Sequence, residues 1–519
     1  MLSDGESRNG AVVWDRQGRR IAYQSTLRNG ASNDVWTMDP DDPESAEIVL
    51  ESPDGSWWGP SEFSARGTQL LVTNYVSITD ARAHVVDLDS GDVTLLAGGP
   101  DAPGYNVPVA FDDADDGFWL LTDQGSEFTQ LAWQPLEAGA DPVIVTTDIP
   151  WNVSAVAMSD DRRRMAFTVN EGGTTALYLM DPRTREYRRV EGLPVGVAGS
   201  LQFSPDGSKL GLTLNTPQTP SDTFSLELGK RPLDYGKLTR WTYSEVGGLD
   251  TTTFVTPRLV RFPTFDEVDG KPREIPAWVY TPPGDGPFPV VVSIHGGPES
   301  QARPYFSSTY QLWLRELGVA VVVPNVRGSA GYGKTYVALD NGFKREDSVR
   351  DIGALLDWIG TQPELDAERV AVFGGSYGGY MVLASAVHYS DRLAAAVDIV
   401  GISSFVTFLE NTQDYRRDLR RVEYGDERDP EMRAFLEKIS PLNNVEKIAI
   451  PMFVVQGQND PRVPVTEAEQ IVKALREQGH KVWYMNGLNE GHGFRRKENR
   501  DIYQQATVLF FREHLLGGD

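Results

Sequence analysis

Ser376 lies in Gly374-Gly-Ser376-Tyr-Gly378-Gly-Tyr380, straight after the apolar run Val370–Phe373 and straight before an apolar helical pattern. Gly-x-Ser-x-Gly between a strand and a helix forms a sharp turn that lifts the hydroxyl above the sheet, which makes Ser376 the candidate nucleophile. A hydroxyl is a weak nucleophile at neutral pH, so it needs a base, and the base needs an orienting carboxylate. The chain has six histidines. His84 falls in a repeat region, His295 precedes the nucleophile, and His388 sits far along the helix that follows it. His480 begins a strand and His514 belongs to a terminal helix. His492, in Asn489-Glu-Gly-His-Gly-Phe494 after the strand Lys481–Met485, is flanked by glycines in a loop from which an imidazole can project. It is the candidate base. Gly457-Gln-Asn-Asp460-Pro-Arg-Val-Pro464 puts Asp460 at the carboxyl end of the strand Met452–Val455, and the order Ser376, Asp460, His492 is that of α/β-hydrolases. Two oxyanion donors are expected from the backbone: the N–H of Tyr377, and the N–H of Gly297 in His295-Gly-Gly-Pro298.

Those residues need a scaffold that brings distant loops together. Val290–Ile294, Val319–Val323, Val370–Phe373, Ala394–Val400 and Met452–Val455 are short, nearly continuous apolar runs, as strands buried on both faces are. Helical patterns separate them, at Ser348–Thr361, Thr466–Gln478 and Arg500–Leu516. The alternation predicts a mostly parallel sheet covered on both sides, with its chemistry at the carboxyl ends of the strands. A rival reading comes from Gly328-Ser-Ala-Gly-Tyr-Gly333-Lys-Thr335, which matches the phosphate-loop pattern, with Asp398 as an acidic strand end. Against it, Asn325-Val-Arg327 separates strand from glycine and Asp340-Asn-Gly342 interrupts the required helix.

The first half is organised differently. Trp14, Phe63, Phe111, Met158 and Phe203 each lead a short polar turn followed by an apolar strand, at spacings of 49, 48, 47 and 45 residues. A period near 45 built of short strands predicts four-stranded propeller blades, since one blade cannot bury both faces alone. Asp112-Asp-Ala-Asp-Asp-Gly117 has the wrong alternation for a calcium loop and reads as a blade turn. The expected organisation is a five-repeat β-propeller over 1–255, incomplete at its N-terminus, followed by an α/β-hydrolase domain over 256–519. On that reading the first repeat, around 11–39, is the least well packed.

Composition narrows the partners. Among 519 residues there is no cysteine, so disulfides, thiolate nucleophiles and cysteine-ligated metal centres are excluded. Residues 1–250 carry 19 Lys and Arg against 38 Asp and Glu, whereas the remainder carries 30 against 36. An acidic front half repels phosphate backbones and anionic lipid, so nucleic acid and membrane surfaces are not expected partners. A cytoplasmic setting is favoured, with a signal peptide on a missing N-terminal stretch as the alternative. A homo-oligomer is compatible with the sequence.

The repeats together with His295-Gly-Gly-Pro298, Asn325-x-Arg-Gly-Ser-x-Gly-Tyr-Gly333, Gly374–Tyr380, Asn459-Asp-x-Arg-Val-Pro464 and Glu490-Gly-His-Gly493 resemble the prolyl oligopeptidase family of serine peptidases, closest to its acylaminoacyl-peptidase and dipeptidyl-peptidase-like branches. The resemblance implies a propeller capping an α/β-hydrolase, a Ser376–Asp460–His492 triad, and an Arg462 that contacts a substrate main-chain carbonyl. His295 stands where the prolyl-specific branch has a tyrosine side chain in its oxyanion hole, which favours a backbone donor and weakens strict proline specificity. Phe405 and Phe408, following the strand Ala394–Val400 in a segment that runs to Tyr415, are expected to line the substrate pocket. The expected activity is hydrolysis of short peptides through an acyl-enzyme, without metal or organic cofactor. An esterase or isopeptidase on the same triad, and a binding propeller on an inactive hydrolase shell, are the alternatives.

Overall fold

A computed structural model describes residues 2–518, apart from the side chain of Tyr415, which lies outside the described residues. Contacts divide the chain into two compact units: Met1–Leu214 with Thr223–Thr242 and Tyr332–Lys334, and Asn215–Asp222 with Tyr243–Gly331 and Thr335–Asp519.

The first unit holds five four-stranded blades of consecutive strands, running from Asn9–Trp14 to Tyr235–Arg240. Four of the five repeat-leading residues pack back onto the preceding blade. Phe63 joins Ala22, Val35 and Leu50; Phe111 joins Leu71, Ala83 and Val85; Phe203 joins Ala166, Leu177 and Leu179. Met158 lies against Trp119 and Leu131 in the same manner. Trp14, in the first blade, has no earlier blade among the described residues and stands 56% exposed, whereas Phe63 is fully buried.

Part of the acidity of this unit is turn chemistry. Asp15 accepts the backbone N–H of Arg19, Asp87 that of Ser90, Asp112 that of Asp116 and Asp206 that of Ser208. Short carboxylates that bond their own turn replace backbone partners the reversing chain has lost. Asp112–Gly117 is such a turn, joining Asn106–Phe111 to Gly117–Thr122.

The second unit is built on one eight-stranded sheet. In spatial order its strands are Arg258–Val268, Lys271–Tyr280, Ala320–Pro324, Phe288–Ile294, Leu365–Gly375, Ala395–Ile399, Met452–Gly457 and Val482–Gly487. The first two are an antiparallel hairpin that joins the sheet antiparallel to Ala320–Pro324; every other pairing is parallel. The five predicted apolar runs form five of these strands, and helices occupy Asp347–Ile359, Val465–Glu477 and Lys497–His514. The hairpin and the helices Phe405–Asn411, Asp414–Tyr424 and Pro430–Ile439 were not expected from periodicity. After Gly328–Gly333 the chain makes only the one-turn helix Lys334–Val337, too short to cradle a phosphate as a phosphate loop does.

Candidate active site

Ser376 sits between the strand Leu365–Gly375 and the helix Tyr377–His388, with φ 60° and ψ −122°. Few L-residues adopt a positive φ, and here the strain aims the side chain out of the turn. Two glycines make the turn possible. A Cβ on Gly374 would stand 2.4 Å from the carbonyl oxygen of Gly378, and one on Gly378 would stand 2.2 Å from that of Ile294. The Ser376 N–H donates to Ile399 O at 2.8 Å, tying the elbow to the adjacent strand.

Asp460 and His492 are brought together from loops 32 residues apart: His492 Nδ1 lies 2.7 Å from Asp460 Oδ2. The other carboxylate oxygen of Asp460 accepts the N–H groups of Arg462 and Val463 at 2.8 and 3.1 Å, so the buried acid cannot rotate away. A Cβ on Gly457 would lie 2.0 Å from Gly491 O, so the glycine lets the histidine loop pack against the acid loop. Asn459 Nδ2 donates to Leu488 O at 3.0 Å and fastens the two loops together. Glu490, accepting from the N–H groups of Arg495 and Arg496 and from Asn499, anchors the loop to the start of the terminal helix. Desolvation would raise its carboxyl, but these hydrogen bonds outweigh it and hold Glu490 below the usual carboxylate range. Among the described residues no hydrogen bond joins Ser376 to His492. Such bonds are often long in unliganded enzymes and tighten on substrate.

The other histidines are engaged elsewhere. His84 is buried against Trp58, and desolvation lowers it to about 4. His388 pairs with Glu346 at 2.7 Å. His295 points Nδ1 at Gly296 O, 2.8 Å away, and Nε2 at Ser329 Oγ, 2.9 Å away. A carbonyl only accepts, so Nδ1 carries a proton, and burial lowers the pKa of the ring. Both ring nitrogens are therefore occupied. The loop closes on the nucleophile: a Cβ on Gly296 would lie 3.2 Å from Ser376 Cβ. Gly297, next in line, has φ +132°. The N–H of Tyr377 begins the nucleophile helix, where it has no intrahelical acceptor.

The remaining predicted residues fall in two settings. Arg462 is exposed and makes no ion pair among the described residues. Phe405 and Phe408 are fully buried on the helix Phe405–Asn411, in an aromatic cluster with Tyr380 and Tyr424. Asn325 and Arg327 of the Asn325–Gly333 motif are struts. Asn325 brackets the backbone of Ala302, and Arg327 pairs with Asp351 and Asp266 at 2.8 Å.

Residues 304–519 match the model of the prolyl oligopeptidase family. This part of the chain is similar to the prolyl oligopeptidase family. Dipeptidyl aminopeptidase BIII of Pseudoxanthomonas mexicana is 36% identical over 239 residues, which cover 45% of this chain and 34% of that protein. Dipeptidyl peptidase family member 6 of Caenorhabditis elegans is 26% identical over 447 residues, covering 81% of this chain and 59% of that one. The chain thus spans about a third and three-fifths of the length of these two relatives. A solved puromycin-hydrolyzing peptidase of Mycobacterium tuberculosis superposes with a TM-score of 0.85 at 20% identity, covering 99% of this chain and 80% of that one. The propeller-plus-hydrolase fold is shared with that protein.

Proposed function

We propose that this chain is a serine peptidase that hydrolyses short peptides through an acyl-enzyme. The observation that carries the reading is an elbow serine at φ 60° in the same sheet as a buried aspartate bonded to a histidine at 2.7 Å. In this mechanism Ser376 Oγ attacks the scissile carbonyl, and His492 Nε2 takes its proton and later delivers it to the leaving amine. Asp460 holds the imidazole with Nδ1 protonated and stabilises the imidazolium. The N–H groups of Tyr377 and Gly297 receive the negative charge that develops on the carbonyl oxygen. Water then attacks the acyl-enzyme by the same route in reverse. In this reading Arg462, exposed two residues from the triad acid, meets a substrate main-chain carbonyl, while the fully buried Phe405 and Phe408 act from behind the site through the aromatic cluster they share with Tyr424. The peptide substrates of the relatives' names support amide over ester chemistry. The test is a fluorophosphonate probe with mass-spectrometric mapping, followed by chromogenic peptides bearing acylated or free amines beside matched esters. Labelling at Ser376 with peptide turnover is expected; turnover of esters alone would overturn the peptidase assignment.

A further inference from the structure

Gly296 and Gly297 carry no side chains to fix their conformation, yet an oxyanion donor must be held within a few tenths of an ångström. Its two carbonyls are restrained from opposite sides. Gly296 O, which shares a peptide plane with the Gly297 N–H, accepts from His295 at 2.8 Å. Gly297 O accepts from Arg420 Nη1 at 3.2 Å and from Tyr424 OH at 3.3 Å. Both donors come from the helix Asp414–Tyr424, one turn apart. The same helix reaches the other oxyanion residue. The ring of Tyr424 stacks on that of Tyr377, centroids 6.0 Å apart and 17° from parallel, and Arg345 lies over both rings. Tyr377 OH is held by Asp340, Arg345 and Ser348 at 3.2, 3.2 and 3.0 Å.

We propose that Arg420 and Tyr424 are positioning residues for the oxyanion hole, clamping the Gly297 carbonyl while Tyr424 braces the ring of Tyr377. The inference rests on the peptidase reading of the site and deepens it. Stability alone is a poor reason for the arrangement. Arg420 pairs with the fully buried Glu423, whose carboxyl burial pushes up to about 8 against the pull of Arg420. Buried ion pairs of this kind contribute little net folding energy compared with apolar packing, so the geometry they impose is the better explanation. The helix is otherwise strongly polar, and Tyr424 is fully buried.

Tyr424→Phe keeps the stacked ring and deletes one donor to Gly297 O; Arg420→Lys keeps the charge beside Glu423 and shortens the reach. Each is measured on a substrate, amide or ester, that the wild type turns over with Ser376 dependence, so a failure strikes the clamp and leaves the peptidase reading to its own test. For Tyr424→Phe, kcat is expected to fall about tenfold with KM within about twofold. Affinity for a peptide boronate, whose tetrahedral adduct places an oxygen in the hole, should fall in parallel, while affinity for the product peptide stays the same. The double variant should lose more than either single one. Wild-type kcat and boronate affinity in the double variant, or a loss confined to KM, would overturn the proposal. So would a fall in Tm with kcat intact, which is the signature of packing alone.

Discussion

The blades and the hydrolase sheet handle burial by opposite routes. In the blades each strand pairs with its neighbours in sequence, and the aromatic that leads a repeat seals the blade before it. In the hydrolase sheet the central strands pair in parallel with partners far away in sequence, which gathers Ser376, Asp460 and His492 at the carboxyl ends of three strands. Polar chemistry divides the same way. Asp15, Asp87, Asp112 and Asp206 of the blades accept from their own turns, whereas the hydrolase unit buries Asp340, Asp351, Asp398 and Glu423. A local architecture can lose a side chain at its rim with little consequence, and a non-local one concentrates both function and electrostatic cost in a few interior positions.

The sharpest separation is between activity and stability at the elbow. Ser376→Ala deletes one small hydroxyl from a turn whose conformation is set by Gly374 and Gly378, so turnover and probe labelling should fall by about 10⁴ to 10⁶ with Tm unchanged. Asp460→Asn should cost about 10⁴ in kcat, because an amide keeps the shape but no longer stabilises the imidazolium. More than a tenth of wild-type turnover in either variant would break the triad assignment.

Within the blades, Phe63 and Trp14 hold the same place in consecutive repeats. Phe63→Ala empties a site fully enclosed by Ala22, Val35, Leu50 and Leu70, and should destabilise by about 3–5 kcal/mol in denaturant unfolding. Trp14→Ala, at a side chain more than half exposed, should cost no more than about 1 kcal/mol. Equal costs would mean that Trp14 is covered in solution.

Much of this was legible beforehand, and for a physical reason. Strand–turn–helix with Gly-x-Ser-x-Gly, a glycine-flanked histidine and an aspartate after a strand are short-range patterns, as is a blade period set by an aromatic and a turn. The clamp on Gly297 was not legible. Arg420 and Tyr424 lie over a hundred residues from the loop they hold, in a helix whose sequence reads as a solvated charged surface. Asn325 and Arg327 were visible as a motif, but their role as struts depends on Ala302, Asp351 and Asp266, which no local spacing connects to them. Part of the acidic excess of the front half resolves into turn-capping carboxylates only when each acceptor is seen with its own N–H.

The smallest effect compares two aspartates with opposite surroundings. Asp206, in an exposed blade turn, accepts from Ser204 and Ser208 and is drawn down to about 2. Asp398, one strand over from the elbow and paired in register with Gly374, is pushed up to about 7 by desolvation, with a Gly401 backbone hydrogen bond pulling it down and the charge of Glu467 pushing it further up. The signs follow from linkage. Below the ordinary carboxylate value both native and unfolded chains hold the Asp398 proton. Between that value and about 7 only the native chain does, so each unit of pH removes stability, at most about 1.4 kcal/mol. Above about 7 the loss is complete and the curve is flat. Asp398→Asn cannot titrate, so its stability relative to wild type should climb from pH 4.5 to pH 7 and then level. Asp206→Asn should show the reverse order: its native carboxylate stabilises at neutral pH and loses that contribution only as pH falls toward about 2, so wild type and variant should run parallel across the window in which Asp398→Asn diverges. Chemical unfolding of the three proteins at pH 4.5, 6 and 8 measures both. A constant offset for Asp398→Asn would show that water reaches the carboxylate and that the interior beside the elbow is not as dry as its burial indicates.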